Sequence, residues 1–145
     1  MAAKRLVVAS DLTGATDPVL AKAFELASRL DAAVTITYVA TEHRMADLRE
    51  ALPPDSAFTD TITARLEGEL TEQIARVGRH DGLNVDTIVR TGNEANAIHR
   101  IASEQDAEMI VIGIRNRSRV GKLILGSTAQ EVLLGSPCPV LGVPV

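Results

Sequence analysis

Glycines, cationic side chains and hydroxyls crowd into one stretch of this chain, from Gly113 to Thr128, and that mixture suits the binding of phosphate. Gly113 closes the apolar run Ile110-Val111-Ile112, and Gly126-Ser127-Thr128 stands where a helix begins. The first NH groups of a helix have no partner within it and carry the positive end of its dipole, so they favour an anion. Arg115, Arg117, Arg119 and Lys122 lie between these points, in a chain whose formal charge is -4. Arginine forks match phosphate oxygens. A purely structural account of the same residues also holds: Gly113 and Gly121 serve turns, Gly126 allows a close helix approach, and Thr128 with Glu131 forms a capping box.

Two better-known phosphate motifs are absent. No Gly-x-Gly-x-x-Gly follows the first apolar run, and Gly121-Lys122 is followed by Leu123 where a P-loop needs Ser or Thr. Asp11, behind the run Leu6-Val7-Val8 and ahead of Leu12-Thr13-Gly14, is either a turn residue that accepts its own backbone NH groups or a carboxylate placed to meet a ribose or an adenine edge. His43, His80 and His99 lack metal-site spacing and read as surface residues. No Gly-x-Ser-x-Gly elbow presents Ser10 or Ser127 as a nucleophile, and Cys138, the single cysteine, reads as core. No catalytic set and no metal site emerge.

These residues must be positioned by a framework of alternating strands and helices. Strands are expected over residues 5–10, 33–40, 85–90, 109–112 and 140–143, the fourth apolar throughout, as for a strand covered on both faces. Asp17 is expected to cap a helix with Pro18 at its first position, and Val19, Leu20, Ala23, Phe24, Ala27 and Leu30 repeat at helical spacing. A second helix is expected over 59–80, ended by Gly82, with Ile62, Leu66, Leu70, Ile74 and Val77 on one stripe. A third carries Ala95, Ile98, Ile101 and Ala102 inward, and the last spans 127–134. Residues 41–58 hold Pro53-Pro54 and no steady period, so they read as an irregular loop with at most a helical turn over 45–51.

Right-handed crossovers then produce an α/β, doubly wound, five-stranded and mainly parallel sheet with helices on both faces, in one domain over residues 1–145. In such sheets ligands gather beyond the carboxyl ends of the strands, which singles out Asp11, Val39, Gly92 and Gly113. The negative charge and the scarcity of aromatics (Phe24, Tyr38 and Phe58) exclude a base-stacking nucleic-acid platform and an anionic-membrane surface. No run reaches the roughly 20 apolar residues of a membrane span, and the N-terminus lacks a signal-peptide core, so a cytoplasmic protein is expected.

Taken together, Val8-Ala9-Ser10-Asp11, Tyr38-Val39, Arg90-Thr91-Gly92, Val111-Ile112-Gly113, Leu125-Gly126-Ser127 and Cys138-Pro139-Val140-Leu141 resemble the universal stress protein family along essentially the whole chain. ATP-binding members share Gly, two residues, Gly, nine residues, then Gly and Ser or Thr. Gly113, Gly126 and Ser127 keep that register, and Asn116 replaces the second glycine. The resemblance implies a Rossmann-like stress-response domain that binds ATP or another adenine nucleotide, with Mg2+ as an optional companion ion. It places Ala9, Ser10, Asp11 and Val39 at the adenine and ribose end, and Gly113, Arg115, Asn116, Gly126, Ser127 and Thr128 around the phosphates. It further implies a homodimer, paired through residues 140–143, whose partner surface responds to nucleotide. A nucleotide-free dimer acting only through partners is the alternative, and a slow ATP hydrolase a third reading.

Overall fold

The computed structural model describes residues 4–51, 58–115 and 125–145. Strands β1 (Arg5–Ala9), β2 (Ala33–Ala40), β3 (Val85–Thr91), β4 (Met109–Ile114) and β5 (Val140–Pro144) form one sheet in the order β3-β2-β1-β4-β5. Every neighbouring pair is parallel, so "mainly parallel" sharpens to wholly parallel. Helices α1 (Asp17–Leu30), α2 (Glu42–Ala51) and α3 (Phe58–Val77) accompany one face, while α4 (Glu94–Glu104) and α5 (Ser127–Leu133) accompany the other.

Alternation along each strand divides the apolar residues between two cores. Leu6 and Val8 of β1, with Val34, Ile36 and Ala40 of β2, pack against Leu20, Phe24, Leu66 and Leu70. Val7 and Val39, with Ile110 and Ile112 of β4, pack against Ile98, Ile101, Ala129 and Val132. All eight residues of β2 are buried, as expected of a strand sandwiched between helix layers. The order reverses between β1 and β4, where Val8 stands beside Val111, so the carboxyl ends of these two strands open a crevice.

Several local expectations are corrected. Thr16 rather than Asp17 precedes α1, and Asp17 occupies the first turn with its carboxylate committed to Arg76. Residues 42–51 are a ten-residue helix, not an irregular loop. Thr41 Oγ1 caps it, accepting the backbone NH of Arg44 at 3.2 Å. With Met45 and Leu48 as its only buried residues, α2 shows too little apolar periodicity to announce itself. Gly78, at φ +65°, ends α3 ahead of Gly82, donating its NH to the Ile74 carbonyl. The last helix begins at Ser127 behind Gly126, which makes no side-chain cap, so Thr128 and Glu131 form no capping box.

Two histidines expected at the surface are partly buried. His80 Nδ1 is buried and its ring lies 5.7 Å from that of Phe24. His99 Nε2 lies 2.7 Å from the Val132 carbonyl. A carbonyl only accepts, so that nitrogen carries the proton and ties α4 to α5. Cys138 is partly buried beside the second core, and burial pushes its thiol above the usual range, the reverse of what an activated nucleophile needs.

Candidate functional site

Immediately after β1 the chain makes a tight, internally bonded turn. Asp11 Oδ1 accepts from the Thr13 NH at 2.8 Å and the Thr13 hydroxyl at 2.7 Å, and lies 2.9 Å from Thr16 Oγ1. The Ser10 hydroxyl accepts the NH of Leu12, a residue held at φ +67°. A non-glycine residue in that region needs such support from its surroundings.

The support comes from α3. Gln73, 1% exposed, receives the Ser10 hydroxyl on Oε1 at 2.5 Å and uses Nε2 toward the Thr13 carbonyl, Thr16 Oγ1 and Asp17 Oδ1. Arg76, one turn further along α3, grips both carboxylate oxygens of Asp17 at 2.8 and 3.1 Å. The Arg76 guanidinium holds the Asp17 carboxyl below the usual carboxylate range, with the Gln73 hydrogen bond adding to the effect against the opposing pull of burial. The turn after β1 is thereby clamped to the neighbouring helix, and nothing in the sequence spacing singled out Gln73.

Two adjoining cavities occupy the crevice at the strand reversal. The smaller, about 160 Å³, lies among Ala9, Ser10, Asp11, Thr37, Val39 and Glu94. The larger, about 400 Å³, extends past Ala9, Ser10 and Asp11 to Gly113, Arg115 and Thr128. Residues assigned to the adenine and ribose end and residues assigned to the phosphate end thus meet around one continuous region, with Ile98 and Glu94 of α4 common to both cavities. Gly126 and Ser127 stand at the start of α5 and do not line these cavities; an added Cβ at Gly126 would meet nothing within 4 Å. Asn116 lies outside the described residues, as do Arg117, Arg119, Gly121 and Lys122.

Gly113 has a different role from the turn expected of it. The strand continues through Gly113, which pairs with Val143, to Ile114. A Cβ at Gly113 would fall 3.1 Å from Val19 Cγ2 and 3.3 Å from Val145 Cγ1, so a larger residue would require these side chains to give way by a few tenths of an ångström.

Glu94, which the motif reading passed over, is the first residue of α4. Its carboxyl titrates above the ordinary glutamate range, first because it is partly buried and second because the Asp11 carboxylate is near. No hydrogen bond or ion pair from it is found among the described residues. The helix dipole favours an acidic residue at this position, and Asn93 caps the helix just ahead by accepting the Asn96 NH at 2.9 Å. The signal was therefore ordinary first-turn chemistry, and only the folding of α4 over β2 brings Glu94 to the cavity.

Doubly wound sheets with a crevice at the strand reversal define a class of ligand-binding α/β proteins. The universal stress protein family model matches residues 2–144, and the chain belongs to that family. It is 28% identical to the universal stress protein YxiE of Bacillus subtilis over 142 residues, 94% of this chain and 96% of that one. The structure of the universal stress protein from Archaeoglobus fulgidus in complex with dAMP superposes with a TM-score of 0.66 at 25% identity, covering 98% of each chain. A universal stress protein solved in complex with cAMP has a TM-score of 0.70 at 19% identity, covering 99% of this chain and 98% of that one, which establishes likeness of fold.

Proposed function

We propose that this chain is a cytoplasmic stress-response protein that binds an adenine nucleotide at the carboxyl ends of β1, β2 and β4. The observation that carries this reading is the convergence of Ala9, Ser10, Asp11 and Val39 with Gly113, Arg115 and Thr128 around adjoining cavities at the strand reversal. The dAMP held by the Archaeoglobus fulgidus relative supports it. The smaller cavity takes the base, Val39 and Ile98 supplying apolar surface in place of aromatic stacking. The larger takes ribose and phosphates, toward Arg115, Thr128 and the first turn of α5, with Gly126 and Ser127 reached by a longer phosphate chain. Asn116 joins the phosphate end by the spacing of the family pattern.

ATP is the expected physiological ligand. Among the described residues no group of three or more His, Cys, Asp and Glu side chains could hold a metal, so Mg2+ accompanying ATP would be held chiefly by phosphate oxygens and water. The Ser10 hydroxyl and Asp11 Oδ1 are already engaged in the turn, so these residues shape the site and no activated nucleophile is assembled. This favours a binding protein over a hydrolase.

A homodimer through β5 completes the proposal. This strand is an edge of the sheet; Val145, 44% exposed, follows it directly, and Leu134, 74% exposed, caps the end of α5 six residues ahead of it. An open edge with apolar neighbours suits pairing with a second copy. Nucleotide occupancy next to β4, the strand that pairs with β5, would then bear on that surface.

The test is calorimetric titration of nucleotide-stripped protein with ATP and AMP, beside an Arg115→Ala/Ser127→Ala double variant. Saturable binding that weakens in the variant, more for ATP than for AMP, is expected. Absence of binding to the folded wild type overturns the nucleotide reading and leaves an interaction protein.

A further inference from the structure

Thr37 is 1% exposed and its hydroxyl has no hydrogen-bond partner among the described residues. The contrast with Thr35 is informative. Thr35 projects from the same face of β2 and is equally buried, but it donates to Gln105 Oε1 at 2.6 Å and accepts from Arg5 at 2.9 Å. Burying a hydroxyl without a partner is unfavourable, and an isosteric valine would avoid it. Thr37 differs from Thr35 in one more respect: it lines the 160 Å³ cavity.

Glu94 lines the same cavity and is the second polar group there without a hydrogen-bond partner among the described residues. Glu94 and Ile98 lie one turn apart on α4, so the carboxylate stands beside an apolar surface on which a flat ring can rest. A carboxylate only accepts hydrogen bonds, whereas a hydroxyl can donate one, and rotation about χ1 to another staggered position can turn the buried Thr37 hydroxyl toward the cavity that this residue lines. This pair complements a ring edge that carries an amine donor beside a ring-nitrogen acceptor. Adenine has such an edge. Hypoxanthine presents an oxo group where adenine has the amine, which a carboxylate repels.

We propose that Thr37 and Glu94 read the base edge of the nucleotide in this cavity, the hydroxyl donating to a ring nitrogen and the carboxylate accepting from the exocyclic amine, so that the chain selects adenine over 6-oxopurines. This rests on the nucleotide reading above and assigns specificity to two side chains outside the glycine-rich pattern. The raised titration range of Glu94 agrees with a carboxylate that lacks a protein donor.

The test compares calorimetric titrations with AMP and IMP for wild type, Thr37→Val and Glu94→Gln, all at pH 7. Wild type is expected to prefer AMP by roughly tenfold or more, since the oxo group leaves a buried acceptor facing an acceptor. Thr37→Val is expected to weaken AMP binding by about five- to tenfold, the worth of one neutral hydrogen bond. Glu94→Gln should reduce the preference, because an amide can turn its NH2 toward the oxo group. Unliganded Thr37→Val is expected to melt no lower than wild type, having lost a hydroxyl without a partner. Equal affinities of wild type for AMP and IMP, unchanged AMP binding by Thr37→Val, or a clearly lowered melting temperature of that variant each overturn the base-reading role while leaving the nucleotide reading intact. No binding of either nucleotide by folded wild type overturns both.

Discussion

Asp17 and Glu94 show how two carboxylates on one fold acquire opposite pH behaviour. Arg76 holds the folded pKa of Asp17 below the usual carboxylate range, so its contribution to stability is present above the unfolded pKa and is lost as pH falls through the folded one. Asp17→Asn is therefore expected to lower the melting temperature at pH 7, with the difference from wild type shrinking toward pH 3. Glu94 is shifted upward by burial and by Asp11. Its folded form holds its proton longer than the unfolded chain does, so relative stability is highest below the unfolded pKa and declines as pH rises through the folded one. Unliganded Glu94→Gln should accordingly melt higher than wild type at pH 7 and alike at pH 4. A Glu94→Gln protein that is less stable at pH 7 would contradict an uncompensated carboxylate at this place. Thermal unfolding followed by circular dichroism over that pH range decides both cases.

At the scale of elements, the site depends on how the turn after β1 is fastened and how closely α1 approaches β4. Gln73 joins α3 to Ser10, Thr13, Thr16 and Asp17. Gln73→Leu keeps the bulk and leaves those buried partners unmatched, which is expected to cost about 2 kcal/mol in urea unfolding. It should also weaken nucleotide binding, because the Asp11 turn loses its anchor. Gly113→Ala forces a methyl to 3.1 Å from Val19 Cγ2, on a residue with 0% exposure that cannot move aside easily. Overpacking of this kind is expected to destabilise by about 1–3 kcal/mol. A neutral or stabilising Gly113→Ala would show that α1 and Val145 yield without loss.

For the whole molecule, ligand binding and folding are linked. A nucleotide that binds only the folded chain should stabilise it by about 2.7 kcal/mol at a free concentration one hundred times its Kd. For a domain of this size that is a rise of several degrees in melting temperature, readable by differential scanning calorimetry with AMP. The proposed dimer should survive dilution into the micromolar range in sedimentation velocity and should separate when Pro144→Lys places a charge at the exposed end of the edge strand β5.

Hydrophobic period and turn chemistry were enough to specify most of this architecture before any coordinates. The boundaries of β2 are those expected from its β-branched run, Ala95, Ile98, Ile101 and Ala102 face inward on α4 as their spacing required, and both faces of the sheet are covered. Such features are local, and each residue's neighbours in sequence carry the information. The helix α2, whose apolar face is only Met45 and Leu48, was illegible because periodicity there is too weak to be read. What only the tertiary structure decided is who meets whom across the crevice. Gln73 is 63 residues from Ser10, Gly113 packs against Val19 and Val145, and Thr37 and Glu94 share a cavity because α4 crosses over β2. Those encounters depend on strand order and helix packing, which no window of sequence contains, and they supply the buried polar groups on which specificity rests.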